Sequence, residues 1–467
     1  MSDALNQLFE AQKSKALELR QSSSRERLRH LFALKDAVSF YEQELLKAMY
    51  ADFRKPETDV WLTEIALFYK EMQWISRRLA GWMQPRKVGT PFPYFLGNSS
   101  VYREPKGRVL IISPWNFPIQ LLLIPLIGAI AGGNTAILKP SEFTPHTSAV
   151  LEKIIKRAFQ DDHIALVQGD ATVSKALLNL PFDHIFFTGS TAVGKLVMEA
   201  ASKHLSELTL ELGGKSAVVV DESANLDELA EKLVWGKTIN AGQSCVAPDY
   251  VLMNEQMIPL LVGKLKKYHE QLFPGDAWKT NMCGIVNEHH FNRLVQLYND
   301  ATTKGAVLEL GGHQDAESRA FSLTVLSHVS TDMRVLQEEI FGPILPIIGV
   351  KHLEEAIEYI NQGEKPLALY AFGRNTQAIH RLARETSSGA LTVNDFKVHF
   401  ANPNLPFGGV NHSGIGRYHG WYSFETFTHE KAIFHQTRWI NVNKALYPPL
   451  TKLGRLVTKF LVATFKR

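Results

Sequence analysis

The sequence predicts an α/β protein built on doubly wound parallel sheets, and three observations predict it. Between about 108 and 220, short β-rich runs (RVLII, TAILK, IALVQ, DHIFF, LTLEL, SAVVV) alternate with helical segments. The alternation resumes after about 225, with helices near 259–271 and 289–301 and strands such as ILPIIGV, LALYAFG and GALTV. In DHIFFTGSTAVGKLV an apolar strand runs straight into a glycine turn and a helix. At ~150 residues per domain, the 467 residues make two or three domains.

The elements follow in order. The first eighty residues are helical: Leu28, Leu31, Phe32, Val38, Tyr41, Leu45 and Met49 form one stripe, and Ser23 with Glu26 makes a capping box ahead of it. Trp61, Ile65, Phe68, Met72, Ile75 and Leu79 form a second stripe. QPRKVGTPFPYFLGNSS then breaks the helical pattern and reads as a connecting arm. From 109 to 138 no charged residue occurs, a length that could cross a bilayer. The run carries Pro114, Pro118, Pro125, Asn116, Asn134 and Gly132-Gly133, so it reads instead as a strand, a loop, a helix around 119–131 and a strand ending at Lys139. The second half closes with the glycine-rich LPFGGVNHSGIGRYHG. There is no solenoid-period repeat and no low-complexity segment.

Composition excludes several classes. Apolar residues make up 45% and charged residues 21%, which argues against disorder, a fibre or a disulfide scaffold. A net charge of +4 gives no reason to expect nucleic acid or another acidic partner. Two cysteines, Cys245 and Cys283, fit a reducing, cytoplasmic compartment. The N-terminus lacks the apolar region of a signal peptide, so export is not expected.

Several residues could carry chemistry. Glycines at 189 and 194 would let a backbone approach a phosphate at a helix N-terminus. Gly189-x4-Gly194-Lys195 nearly matches a nucleotide-triphosphatase P-loop, but Leu196 stands where Ser or Thr must hold magnesium; a ligand-free turn is the third reading. Cys245 in NAGQSCVAP lies among small residues and is either a nucleophile or an inert buried thiol, whereas Cys283 reads as structural. Glu211 at the end of LTLEL is a strand-end charge or a general base. Asn116 follows a strand, where an amide could stabilise an oxyanion or simply make a turn. Lys139 and Glu142 could reach a ribose or be surface charges, and Glu338 with Glu339 reads by default as a solvated acid pair. No Cys/His cluster has zinc spacing, so no metal is expected.

SPWNFP, LKPSE, FFTGSTAVG, LELGGKS, GQSC, QEEIFGP and LPFGG stand here in the order found in aldehyde dehydrogenases, and the resemblance covers about 23–431. RYHGWYSFETFTHEK and VND-x3-H before PFGG are similar to the class-three branch, which includes fatty aldehyde dehydrogenase. The resemblance implies a Rossmann-like NAD(P)-binding domain (1–82 and 106–212), an α/β catalytic domain (213–395), and a bridging and oligomerisation element (83–105 and 396–440). It implies Cys245 as nucleophile, Asn116 with the cysteine's own N–H as oxyanion hole, and Glu211 as general base. It places the cofactor, NAD with NADP also accepted, over Gly189, Ser190, Thr191, Ala192, Val193 and Gly194. Lys139 and Glu142 would face the adenosine ribose, and Glu339 with Phe341 the nicotinamide ribose. The expected substrate is a medium- or long-chain aliphatic or aromatic aldehyde, and the expected assembly a homodimer.

The sequence departs from the branch in GQSC for GQTC, in NDFKVHF where relatives often have NDTLMH, and at Asn411 after FGGV. Phe396 and Lys397 therefore leave substrate specificity open. Acyl-coenzyme-A-forming relatives also resemble this chain but lack the glutamate that Glu211 supplies, and a non-catalytic relative would be expected to lose the nucleophile or the base. The tail, 441–467, holds five basic and no acidic residues from 451 onward. Leu453, Leu456, Val457, Phe460 and Leu461 share one helical face, with Lys452, Arg455, Lys459 and Lys466 on another. Such a helix lies on an anionic membrane surface or docks on the protein's own body.

Overall fold

The computed structural model describes residues 2–439, 444 and 446–466. The helix Ser24–Phe53 opens with the expected capping box: Glu26 N–H donates to Ser23 Oγ at 3.3 Å, and Ser23 N–H donates to the Glu26 carboxylate at 2.7 Å. Leu31, Leu34, Val38, Leu45 and Met49 are buried, but Phe32 is 46% exposed. One residue past Leu31, it is rotated by about 100° off the buried stripe. In the second stripe Ile65, Phe68, Met72, Ile75 and Leu79 are buried and Trp61 is half-buried. Trp61–Ile65 forms a π-helical turn.

The alternation that runs unbroken through the sequence is divided between two sheets. In the first, Arg108–Ile112 lies at the centre, flanked on one side by Thr135–Lys139 and Ile164–Leu166 and on the other by His184–Thr188 and Glu207–Glu211, all parallel. Gly414–Ile415 adds an antiparallel edge. The winding reverses between Arg108–Ile112 and His184–Thr188, which creates a crevice at the carboxyl ends of those two strands. After Glu211 the chain crosses through Gly213 and Gly214 into a second sheet, ordered Val307–Leu310, Thr324–Ser327, Ile344–Val350, Tyr250–Asn254, Ala217–Val220, Ala368–Phe372, Ala390–Val393. Only Val307–Leu310 runs antiparallel to its neighbour there.

The proline-rich arm is more ordered than its composition predicts. Arg86–Val88 and Asn98–Pro105 pair antiparallel, and Thr428–His435 extends them into a three-stranded sheet. The uncharged stretch is a buried core piece: all thirteen residues of Gln120–Gly132 are buried, as befits a helix that is apolar all round. Among the described residues no helix is long and apolar enough to cross a membrane. The first part of the 441–467 tail (residues 441–443 and 445) lies outside the described residues, but Lys452–Phe465 is a helix. Its expected apolar face is split. Gly454 is buried and Val457 and Leu461 are half-buried, while Leu453, Leu456 and Phe460 are 62%, 65% and 58% exposed beside the exposed Lys452, Arg455 and Lys459.

Candidate active site

The crevice places two predicted segments side by side. Asn116 follows Arg108–Ile112, and Gly189 follows His184–Thr188. Asn116 is 3% exposed, and its Nδ2 donates to the Gln243 carbonyl at 3.1 Å. One amide hydrogen is thereby spent on orientation, and the other is left for a ligand. Asn240 closes the arrangement, its Nδ2 donating to the carbonyls of Asn116 at 2.9 Å and Gln243 at 3.0 Å. The Gln243 side chain in turn donates to the carbonyls of Asn240 (3.0 Å) and Gly284 (3.2 Å), and accepts Val286 N–H at 3.0 Å. Asn240, Ala241 and Gly242 all have positive φ (52°, 51° and 71°), so this network holds a strained turn immediately before Cys245. Sequence reading missed Asn240 and Gln243; the signal available was two amides closely preceding the cysteine.

Cys245 is half-buried and free. It lies at the amino end of Tyr250–Asn254, with its carbonyl accepting from Ser216 Oγ at 3.2 Å. Tyr370 Oη donates to the next carbonyl, Val246, at 2.6 Å. Burial, then the nearby Glu339 and Glu211 carboxylates, push the thiol up to about 12, while its own backbone N–H and Lys397 pull it down. Cys245 ends a cavity of about 200 Å³ whose walls include Leu62, Phe117, Trp235, Phe396 and Phe407. Cys283 is fully buried, as a structural thiol would be.

Glu211 is the last residue of its strand, with its carbonyl accepting Gly189 N–H at 3.0 Å. The side chain is 3% exposed and neither carboxylate oxygen has a hydrogen-bond partner. Burial raises its carboxyl well above the ordinary range. A buried carboxyl without partners is costly, and active sites are where such groups concentrate.

The glycine turn ends as a helix N-terminus. Ser190 caps Thr191–Ser202, its Oγ accepting Val193 N–H at 3.4 Å, and Ala192 and Val193 are exposed at the tip. Gly194 packs on Leu212, where a Cβ would lie 2.6 Å from the leucine side chain. Thr191, Gly214 and Glu339 share a second cavity of about 540 Å³. The solvated acid pair expected at 338–339 is not what forms. Glu338 pairs with Arg293 and Arg334. Glu339 points inward with Oε1 unpartnered, pushed up to about 8 by burial and then by Asp249. It can turn that way because Gly213 has no side chain: a Cβ there would lie 2.1 Å from Glu339 Oε2. Phe341 sits edge-on to Trp115 at 5.3 Å, linking this segment to the Asn116 loop. Lys139 is buried, its Nζ donating to the Pro140 carbonyl at 2.7 Å and to Glu142 at 3.4 Å, so it is no plain surface charge. An anion-ready helix tip, a cavity beside it and a carboxylate lining that cavity with one oxygen unpartnered fit a dinucleotide. Among the described residues no cluster could hold a metal ion.

The model of the aldehyde dehydrogenase family matches residues 2–433. The chain belongs to that family. It is 44% identical over 432 residues to the 4,4'-diaponeurosporen-aldehyde dehydrogenase of Staphylococcus aureus, covering 92% of each chain. It is 41% identical to the mouse aldehyde dehydrogenase named dimeric and NADP-preferring, covering 91% of this chain and 93% of that one. The substrate-bound structure of Staphylococcus aureus AldH superposes with a TM-score of 0.94 at 41% identity, covering 98% and 99% of the two chains. Family 3 members are among its relatives, as the class-three pattern predicted. This aldehyde dehydrogenase is an oxidoreductase that uses NAD or NADP.

Proposed function

We propose that this aldehyde dehydrogenase oxidises medium- or long-chain aliphatic or aromatic aldehydes to carboxylic acids at Cys245. The observation that carries the substrate class is the apolar cavity ending at that thiol. The thiolate attacks the carbonyl carbon, forming a C–S bond as the carbonyl π pair moves to oxygen. Asn116 Nδ2–H and the Cys245 backbone N–H hold that oxyanion. A bound nicotinamide dinucleotide would supply the hydride acceptor, so that collapse of the adduct held by Asn116 would leave Cys245 as a thioester. Glu211 then removes a proton from the water that attacks the thioester, releasing the acid and regenerating the thiolate. Glu211 favours water as acyl acceptor over coenzyme A. Leu196 is exposed where a P-loop needs a magnesium ligand, which weighs against phosphoryl transfer. Gly189, Ser190 and the tip residues through Gly194 would take the pyrophosphate, Lys139 and Glu142 the adenosine ribose, and Glu339 with Phe341 the nicotinamide ribose.

The test is a panel of aliphatic chain lengths and aromatic aldehydes, run with NAD and with NADP, for the wild type and Cys245→Ala. Rates rising with apolar length and lost in Cys245→Ala are expected; turnover by Cys245→Ala would overturn the reading. A cytoplasmic homodimer is part of the same reading. The dimer is supported by the exposed Phe92, Tyr94 and Phe95 in the turn between the first two arm strands and by Phe434 on the third. A monomer in light scattering would remove the dimer. The exposed Leu453, Leu456 and Phe460 beside basic residues support peripheral contact with an anionic membrane.

A further inference from the structure

Lys397 lies where the sequence departs from the class-three pattern, and its setting is unusual for a lysine. Its backbone has φ +63°, a conformation that disfavours residues with a Cβ. The residue is 6% exposed, and Nζ is buried without a hydrogen-bond partner. It lines the same cavity as Cys245. Phe396, fully buried, fixes its position: the ring packs 4.8 Å from both Tyr370 and Phe372. Tyr370 is the residue that holds the Val246 carbonyl next to the nucleophile. One short path of packed groups thus ties Lys397 to the cysteine.

We propose that Lys397 is a positioning residue for the nucleophile, its buried ammonium stabilising the Cys245 thiolate through space. This rests on Cys245 being the nucleophile. An unpaired buried ammonium is expensive and persists where the charge has a use. Cys245 has need of one, because burial and the carboxylates of Glu339 and Glu211 all oppose its ionisation. Burial likewise pulls Lys397 down to about 7. The groups acting on it are Asp59 and the Cys245 thiolate, which favour its charge, and Lys237 and Lys55, which oppose it. Its support is therefore present at pH below about 7 and fades as the amine loses its proton above that.

The test is the rate of Cys245 alkylation by iodoacetamide, a neutral reagent, between pH 6 and 10. Adducts are located by mass spectrometry so that Cys283 is counted separately. Lys397→Met should alkylate about tenfold more slowly at pH 6.5, the equivalent of a one-unit rise in thiol pKa. The deficit should shrink as pH rises past 8, which a merely structural defect would not do. Lys397→Arg, always charged, should restore the rate and keep it at high pH. Lys397→Gln is read in the same way if the methionine variant does not fold. Superimposable profiles for wild type and the neutral variants would overturn the proposal, even if their KM for carboxylate-bearing aldehydes changed. The readout needs no turnover, so it fails independently of the Cys245→Ala test.

Discussion

Replacing Glu211 with Gln should separate the two half-reactions of this enzyme. The side chains are nearly isosteric, so the strand and the Gly189–Glu211 hydrogen bond, which uses the backbone carbonyl, should survive. What disappears is the ability to accept a proton. General base assistance is worth ~10²–10⁴-fold, or about 3–5 kcal/mol, and steady turnover should fall by that factor. Neither carboxylate oxygen has a hydrogen-bond partner, so both are free to accept the proton of a water. Acylation of Cys245 needs no base at that stage beyond the one that ionises the thiol. A stopped-flow trace should therefore show a burst of reduced-nicotinamide absorbance approaching one equivalent per Cys245, followed by a stall. Intact-protein mass spectrometry should find the acyl adduct. The pH profile adds a second signature. Burial raises the Glu211 carboxyl, so the ionised fraction increases about tenfold per pH unit below its folded pKa. Wild-type steady turnover should climb along that limb with rising pH, and the Glu211→Gln turnover should lack it. Full steady turnover in Glu211→Gln would refute the assignment, and a variant with neither burst nor turnover would show that Glu211 serves the thiol instead.

Glu142→Gln should narrow the gap between NAD and NADP in kcat/KM, because the carboxylate repels a 2′-phosphate while Lys139 beside it attracts one; an unchanged ratio would show that this pair does not face the ribose. Glu64 accepts the N–H groups of Ile119 (3.1 Å) and Gln120 (2.8 Å) and lies 3.6 Å from the fully buried Lys55; Gln can accept the same two bonds, so below about pH 7, where Glu64 is itself neutral, Glu64→Gln should stay within about 1 kcal/mol of the wild type in urea unfolding. Burial pushes Glu64 up to about 7. The folded chain thus holds a proton that the unfolded chain releases near 4.5, and this site's contribution to stability should fall as pH rises from about 4.5 to 7, a slope absent in the variant. Deleting residues 451–467 should reduce co-sedimentation with anionic liposomes and leave aldehyde turnover unchanged; equal binding with and without the tail would reject membrane contact.

Most of the strands and the sheet architecture were legible because parallel strands buried on both faces read as short apolar runs, and the glycine turns between them are locally encoded. The sites at the carboxyl ends of Arg108–Ile112 and His184–Thr188 followed from the same logic, since the switch point of an open sheet is a property of its topology. Glu339 did not follow. An acidic dipeptide defaults to solvent, and only the contact across Gly213, far away in sequence, turns one of the two inward. Phe32 failed for a related reason: periodicity gives a face but not how wide an arc the partner covers. Asn240 and Gln243 were missed because their bonds go to backbone groups, so the two amides before the cysteine were the one signal they left in the sequence.

The distribution of unsatisfied groups explains why this part of the chain needs so much framing. Glu211, Glu339 and Lys397 each keep at least one buried polar atom without a partner, and Lys55 and Glu64 face each other at 3.6 Å rather than in close contact. Three of them bear on the thiol: Lys397 shares its apolar cavity, and the Glu211 and Glu339 carboxylates oppose its ionisation. Two side-chain amides hold the turn before Cys245, a tyrosine holds the carbonyl after it, and a π-helical turn carries Glu64 to the start of the helix that follows Asn116. Loosening the frame would let the unpaired groups reach water and relax to ordinary ionisation, so the perturbed chemistry and the rigidity of the cysteine loop are one property of the fold.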